Sequence, residues 1–120
     1  MAQRSLVADD NAAVRSALCR MFDLEEGYDI CAEATNGEEA IALALKHKPD
    51  LIILDLSMPV MNGLDSAREL KRIMPQIPII LFTQHADWGL QMTNLHVDRV
   101  LSKNNASSLM DHVRSLAPAR

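Results

Sequence analysis

An open, doubly wound α/β domain built on five parallel strands is the fold this sequence predicts, and three observations carry that reading. Short apolar runs recur along the chain and alternate with longer stretches whose apolar residues follow helical spacing. Two of the runs, Leu51-Ile52-Ile53-Leu54 and Ile79-Ile80-Leu81-Phe82, are continuously apolar, as central parallel strands covered on both faces must be. The length of 120 residues suits one domain spanning residues 1–120.

The elements follow in order. Leu6 to Ala8 is the first strand, and Val14, Ala17, Leu18, Met21 and Phe22 then share one helical face, with Gly27 as the stop. Ile30 to Ala34 is the second strand. Thr35-Asn36-Gly37-Glu38 fits a capping box ahead of Ala40, Ile41, Ala44 and Leu45, and Pro49 ends that helix. After Leu51 to Leu54 comes a third helix with Leu64, Ala67, Leu70 and Met74 facing inward, closed by Pro75. Ile77 to Phe82 is the fourth strand. A fourth helix is expected around Trp88, Gln91, Met92 and Leu95, although Gly89 lowers its propensity. Val100-Leu101 is the last strand, and Leu109, Val113 and Leu116 mark the last helix.

Composition narrows the function. The net charge is −4 with His neutral, and Phe22, Tyr28, Phe82 and Trp88 are the only aromatics, which argues against direct nucleic-acid binding by this domain. No apolar run approaches the roughly 18 residues that span a bilayer, and the N-terminus lacks a signal-peptide core, so a cytoplasmic protein is expected. Cys19 and Cys31 lack metal or disulfide-framework spacing, and His47, His85, His96 and His112 share no ligand spacing. His85 sits two positions past Thr83, close enough to a strand end to border a site. Trp88 reads as a half-buried anchor or an interaction hot spot, and the seven methionines as core filler.

In an open α/β sheet the chemistry gathers outside the carboxyl ends of the strands. The residues at those ends are Asp9-Asp10, Asp55, Thr83 and Ser102-Lys103. Three carboxylates brought together repel one another, so they raise a pKa, recruit a cation, or both. A hard divalent ion, most simply Mg²⁺, suits oxygen ligands, with Asp9 and Asp10 as its holders. Lys103 supplies a point charge and Thr83 a hydroxyl donor, leaving Asp55 as a nucleophile toward phosphorus. Taken singly, Asp10 and Asp55 read more readily as helix caps or turn residues, Thr83 as a strand former and Lys103 as a solvated charge. The conjunction on four separate strands favours the chemical reading.

Asp9-Asp10, Asp55-Leu56-Ser57-Met58-Pro59 with Asn62-Gly63, Thr83 and Lys103 together resemble the receiver domain of two-component response regulators, over essentially the whole chain. Met-Pro-Val-Met-Asn-Gly-Leu-Asp and Pro-Ile-Ile-Leu-Phe-Thr are similar to receivers that precede a helix-turn-helix output domain. The resemblance implies a flavodoxin-like sheet with strand order 2-1-3-4-5. It also implies phosphoryl transfer to Asp55 from a sensor histidine kinase or phosphotransfer protein. Mg²⁺ would be held by Asp10, the Asp55 side chain and the Ser57 backbone carbonyl, with Asp9 beside it, while Thr83 and Lys103 engage the phosphoryl group. The implied role is a phosphorylation-dependent signalling switch acting through protein contacts. It leaves open a homodimer, and a DNA-binding output domain if the chain is a fragment.

The sequence also departs from that family. Gln84 follows Thr83 where a small residue is usual, and is expected to alter the rates of phosphorylation and dephosphorylation. Val100 stands where an aromatic normally sits three positions before the lysine. Asn104 replaces a proline after Lys103, which predicts a trans peptide and a differently aimed Lys103. Leu95-His96-Val97-Asp98-Arg99 replaces a Gly-Ala-rich turn. These departures favour, as an alternative, a receiver-like interaction module with impaired or absent phospho-switching. A third reading, a Mg²⁺-dependent phosphatase, usually needs a second acid two positions past the nucleophile, where this chain has Ser57.

Overall fold

The computed structural model describes residues 2–84 and 96–119. Strands β1 (Gln3–Ala8), β2 (Tyr28–Ala34), β3 (Leu51–Leu54), β4 (Ile79–Thr83) and β5 (Arg99–Ser102) form one parallel sheet in the order β2-β1-β3-β4-β5. Helices α1 (Ala12–Asp23), α2 (Gly37–His47), α3 (Gly63–Ile73) and α4 (Leu109–Leu116) cover it, and a 3₁₀ segment, Lys103–Ser108, joins β5 to α4. The fourth helix expected around Trp88, and His85 with it, lie outside the described residues. Among the described residues no helix is long and apolar enough to cross a membrane.

Alternation along the central strands builds two cores. Leu6, Ile52, Leu54, Ile79 and Leu81 face α2 and α3, where Ala40, Ala44, Ala67 and Leu70 pack on them. Val7, Ile53, Ile80 and Phe82 face α1 and α4, meeting Leu18, Phe22, Leu109 and Val113. Fully burying such an aliphatic side chain contributes about 1.5–3 kcal/mol, so the two layers supply the main cohesion.

The boundaries differ from the sequence reading where main-chain pairing overrides polarity. β1 begins at Gln3 rather than Leu6, because its polar start pairs with β2 from Gln3 onward, and β3 joins on the other side from Ser5. The α2 cap falls one residue later than the expected box: Asn36 accepts from the Glu39 amide at 2.8 Å, and the Glu39 carboxylate accepts from the Thr35 amide at 3.0 Å. Gly27 does not stop α1, which ends at Asp23. At φ +89° Gly27 instead turns the chain into β2, and its carbonyl accepts from the Gln3 amide at 2.8 Å. Pro49 and Pro75 follow the ends of α2 and α3 as expected.

Along β2 the register slips between the pairs Ser5↔Ile30 and Leu6↔Ala32, leaving Cys31 as an extra residue. This β-bulge on an outer strand interrupts the regular alternation of side chains between the two faces.

Candidate functional site

Because all five strands run the same way, their carboxyl ends share one rim. Asp9 directly follows β1, Asp55 directly follows β3, Thr83 closes β4 and Lys103 directly follows β5. Asp9, Asp55 and Thr83 are buried, whereas Asp10 is exposed. With Asn11, Val14, Ser57 and Gln84 these groups line a cleft of about 220 Å³. The structure thus brings together Asp9, Asp10, Asp55, Ser57, Thr83 and Lys103, with Gln84 exposed at the mouth.

The helix-cap reading of the aspartates does not hold. Asn11 caps α1, accepting from the amides of Ala13 and Val14 at 2.9 and 3.2 Å. Asn62 caps α3, accepting from the Asp65 amide at 2.9 Å. With asparagines filling both caps, Asp10 and Asp55 are left for the cleft.

The electrostatics are those of crowded carboxylates around one ammonium. Lys103 Nζ lies 2.6 Å from Asp9 Oδ2 and 3.4 Å from Asp55 Oδ2, and the lysine side chain is largely buried. Asp9 Oδ1 accepts from the Asn11 amide at 2.9 Å. The Asp55 carboxyl is pushed above its ordinary pKa, first by burial and then by the Asp9 charge; Lys103 and the Leu56 amide oppose this. Asp9, Asp10 and Asp55 each offer an oxygen, all within 4.8 Å of one another, an arrangement suited to a hard cation.

Lys103 therefore aims into the cleft, contrary to the expectation drawn from Asn104. The Lys103–Asn104 peptide is trans, as expected, and no cis bond occurs among the described residues. The reason lies one residue earlier: the Ser102 hydroxyl accepts from the Asn104 amide at 3.1 Å and starts the 3₁₀ turn that begins at Lys103. Val100 is partly buried beside the α2–α3 core.

The loop after Asp55 is held closely. The Asp55 amide donates to the Ala8 carbonyl at 2.9 Å, and the Gly63 amide to the Leu56 carbonyl at 2.9 Å. A Cβ on Gly63 would stand 2.1 Å from the Asp55 carbonyl oxygen, so only glycine lets α3 start there. The Met61 amide donates to the Pro59 carbonyl at 2.7 Å across Val60, which has φ +67°. This is the rarer, strained γ-turn, here on a β-branched residue.

Sequence reasoning passed over one side chain. Arg15 on α1 donates from Nη1 to the Asp9 carbonyl at 2.6 Å, and its Nε lies 3.3 Å from Glu33 Oε1. No local motif marks it, since both partners come from other elements.

A five-stranded parallel sheet in this order defines the flavodoxin-like fold, here with an acidic rim around the Lys103 ammonium. Residues 6–114 match the family described as the response regulator receiver domain, and the chain belongs to that family. It is 46% identical over 84 residues to the transcriptional regulatory protein PdtaR of Mycobacterium tuberculosis, covering 68% of this chain and 40% of PdtaR. The chain thus spans about two fifths of that relative's length. It is 40% identical over 81 residues to the chemotaxis protein CheY of Thermotoga maritima, covering 68% of this chain and 67% of CheY. Among solved structures, the response regulator protein TrrA of Thermotoga maritima in complex with Mg(2+)-BeF superposes with a TM-score of 0.85 at 33% identity. That match covers 95% of this chain and 98% of TrrA. TrrA also matches as found in its complex with the histidine kinase ThkA, with a TM-score of 0.83.

Proposed function

We propose that this domain is a phosphorylation-dependent switch in which Asp55 accepts a phosphoryl group from the phosphohistidine of a sensor histidine kinase or phosphotransfer protein. The observation that carries the reading is the pair of buried carboxylates, Asp9 and Asp55, converging on the Lys103 ammonium at the sheet rim. An Asp55 oxygen forms the new O–P bond while the N–P bond breaks, and the electron pair returns to the donor imidazole. Lys103, 3.4 Å from Asp55 Oδ2, is placed to pair with a phosphoryl oxygen, and Thr83 lines the same cleft with a hydroxyl.

The carboxylate cluster fits Mg²⁺. Asp10, Asp55 and the Ser57 backbone carbonyl would hold it, with Asp9 adjacent and also holding Lys103. A bound ion there would neutralise charge developing on the transferring phosphoryl group. The domain regulates through altered protein contacts and is not a turnover enzyme. The match to a receiver solved with its histidine kinase supports that class of partner.

The test is incubation of the protein with Mg²⁺ and acetyl phosphate, followed by intact-mass measurement. A gain of one phosphoryl group that is absent in Asp55→Asn is the expected result. No gain in the wild type would reduce the domain to an interaction module, and repeated turnover of phosphoesters would make it an enzyme.

A further inference from the structure

On a regular strand Tyr28, Ile30, Ala32 and Ala34 would share one face. The bulge at Cys31 reverses the phase midway: Tyr28 and Ile30 pack with the α1–α4 core, while Ala32 and Ala34 pack with the α2–α3 core. Glu33, in register with Val7, is thereby turned toward α1. There it meets Arg15, whose other donor reaches the Asp9 carbonyl. Bulges beside functional sites often re-aim a side chain in this way.

We propose that Glu33 and Arg15 are positioning residues for the Asp9-Asp10 segment, holding the peptide that aims Asp10 toward the divalent ion; this rests on the ion site proposed above. The Asp9 backbone is tied to the end of β2 at both of its polar groups. Its amide donates directly to the Ala34 carbonyl at 3.0 Å, and its carbonyl is held through Arg15 and Glu33. Asp10 is exposed, so the orientation of the preceding peptide is what sets the stance of its carboxylate. The planar guanidinium suits the task, since one of its nitrogens bonds the carbonyl while another pairs with the carboxylate.

The sign of the effect separates this role from simple electrostatics. Removing a cation near the cluster would by itself tighten binding of a divalent ion. Loss of a positioning contact loosens the site instead, and removing outer partners of metal ligands typically costs tenfold or more in affinity.

Calorimetric titration of the metal-free chain with Mg²⁺ tests this, with urea unfolding showing that each variant is folded. Arg15→Met is expected to bind about tenfold more weakly. The double variant Arg15→Met/Glu33→Met keeps the wild-type net charge and is expected to bind about as weakly as Arg15→Met. Arg4→Met, which loses a comparable bond to the His47 carbonyl at the opposite end of β1, is expected to retain wild-type affinity. A double variant that binds as tightly as wild type overturns the proposal and leaves the ion site standing, as does an Arg4→Met loss of equal size. A wild type with no saturable Mg²⁺ binding overturns the ion site and this inference with it.

Discussion

The two rims of the sheet use the same residue types to opposite ends. At the amino-terminal rim Arg4, Asp50, Lys71 and Asp98 each bond to main chain. Asp50 accepts from the Arg4 amide at 2.8 Å, Arg4 donates to the His47 carbonyl at 2.9 Å, and Asp98 accepts from the Ile79 amide and from Lys71, each at 2.8 Å. Lys71 also donates to the Ile77 carbonyl at 2.8 Å. At the carboxyl-terminal rim, by contrast, Asp9 and Asp55 share one ammonium, and a third carboxylate stands in solvent beside them. A charge satisfied by backbone holds strands in place; carboxylates left facing one another are held ready for a ligand.

Substitutions on either rim sharpen that contrast. Gly63→Ala has the largest expected effect on stability, because its Cβ would overlap the Asp55 carbonyl and force α3 off its start; a cost of about 1–3 kcal/mol in urea unfolding is expected, with weaker Mg²⁺ binding. Asp98→Ala strips a partner from Lys71 and the Ile79 amide, and is expected to cost about 1–2 kcal/mol while leaving Mg²⁺ affinity unchanged. A loss of Mg²⁺ affinity in Asp98→Ala would erase the division between the rims.

Asp55 provides a subtler check through pH. Its pKa is raised in the folded chain, so between the ordinary carboxylate range and the raised value the native state binds more protons than the unfolded one. Metal-free stability therefore falls as pH rises through that window and stays lower at neutral pH. Asp55→Asn is expected to be more stable than wild type at pH 7 without metal, with the difference shrinking as acid protonates Asp55 in both states. A variant less stable than wild type at pH 7 would mean that Lys103 outweighs burial and Asp9. The smallest effect is kinetic: Gln84→Ala, opening the mouth of the cleft, is expected to shorten the phosphoryl lifetime by a few-fold, and equal lifetimes would show that the glutamine does not guard the site.

Much of this was legible in the residues. Continuous apolar runs gave the central strands, and the groups at their ends gave Asp9, Asp10, Asp55, Thr83 and Lys103, because parallel topology alone brings strand ends together. What escaped reading depended on three-dimensional partners. The polar opening of β1 is strand because β2 pairs with it from Gln3, and the Cys31 bulge leaves no mark in composition. Arg15 is one arginine among several on helices until Glu33 and the Asp9 carbonyl are seen beside it. Lys103 keeps its aim without a proline after it, because the Ser102 hydroxyl accepts from the Asn104 amide and sets the turn.

The outermost strand carries a further consequence. An exposed, flat edge invites a neighbouring polypeptide to add itself as the next ribbon and seed a growing stack. β2 offers instead an interrupted ladder, with Asp29 and Glu33 exposed on either side of the kink. In crowded solution, that irregular and acidic border gives a stray chain little to zip onto.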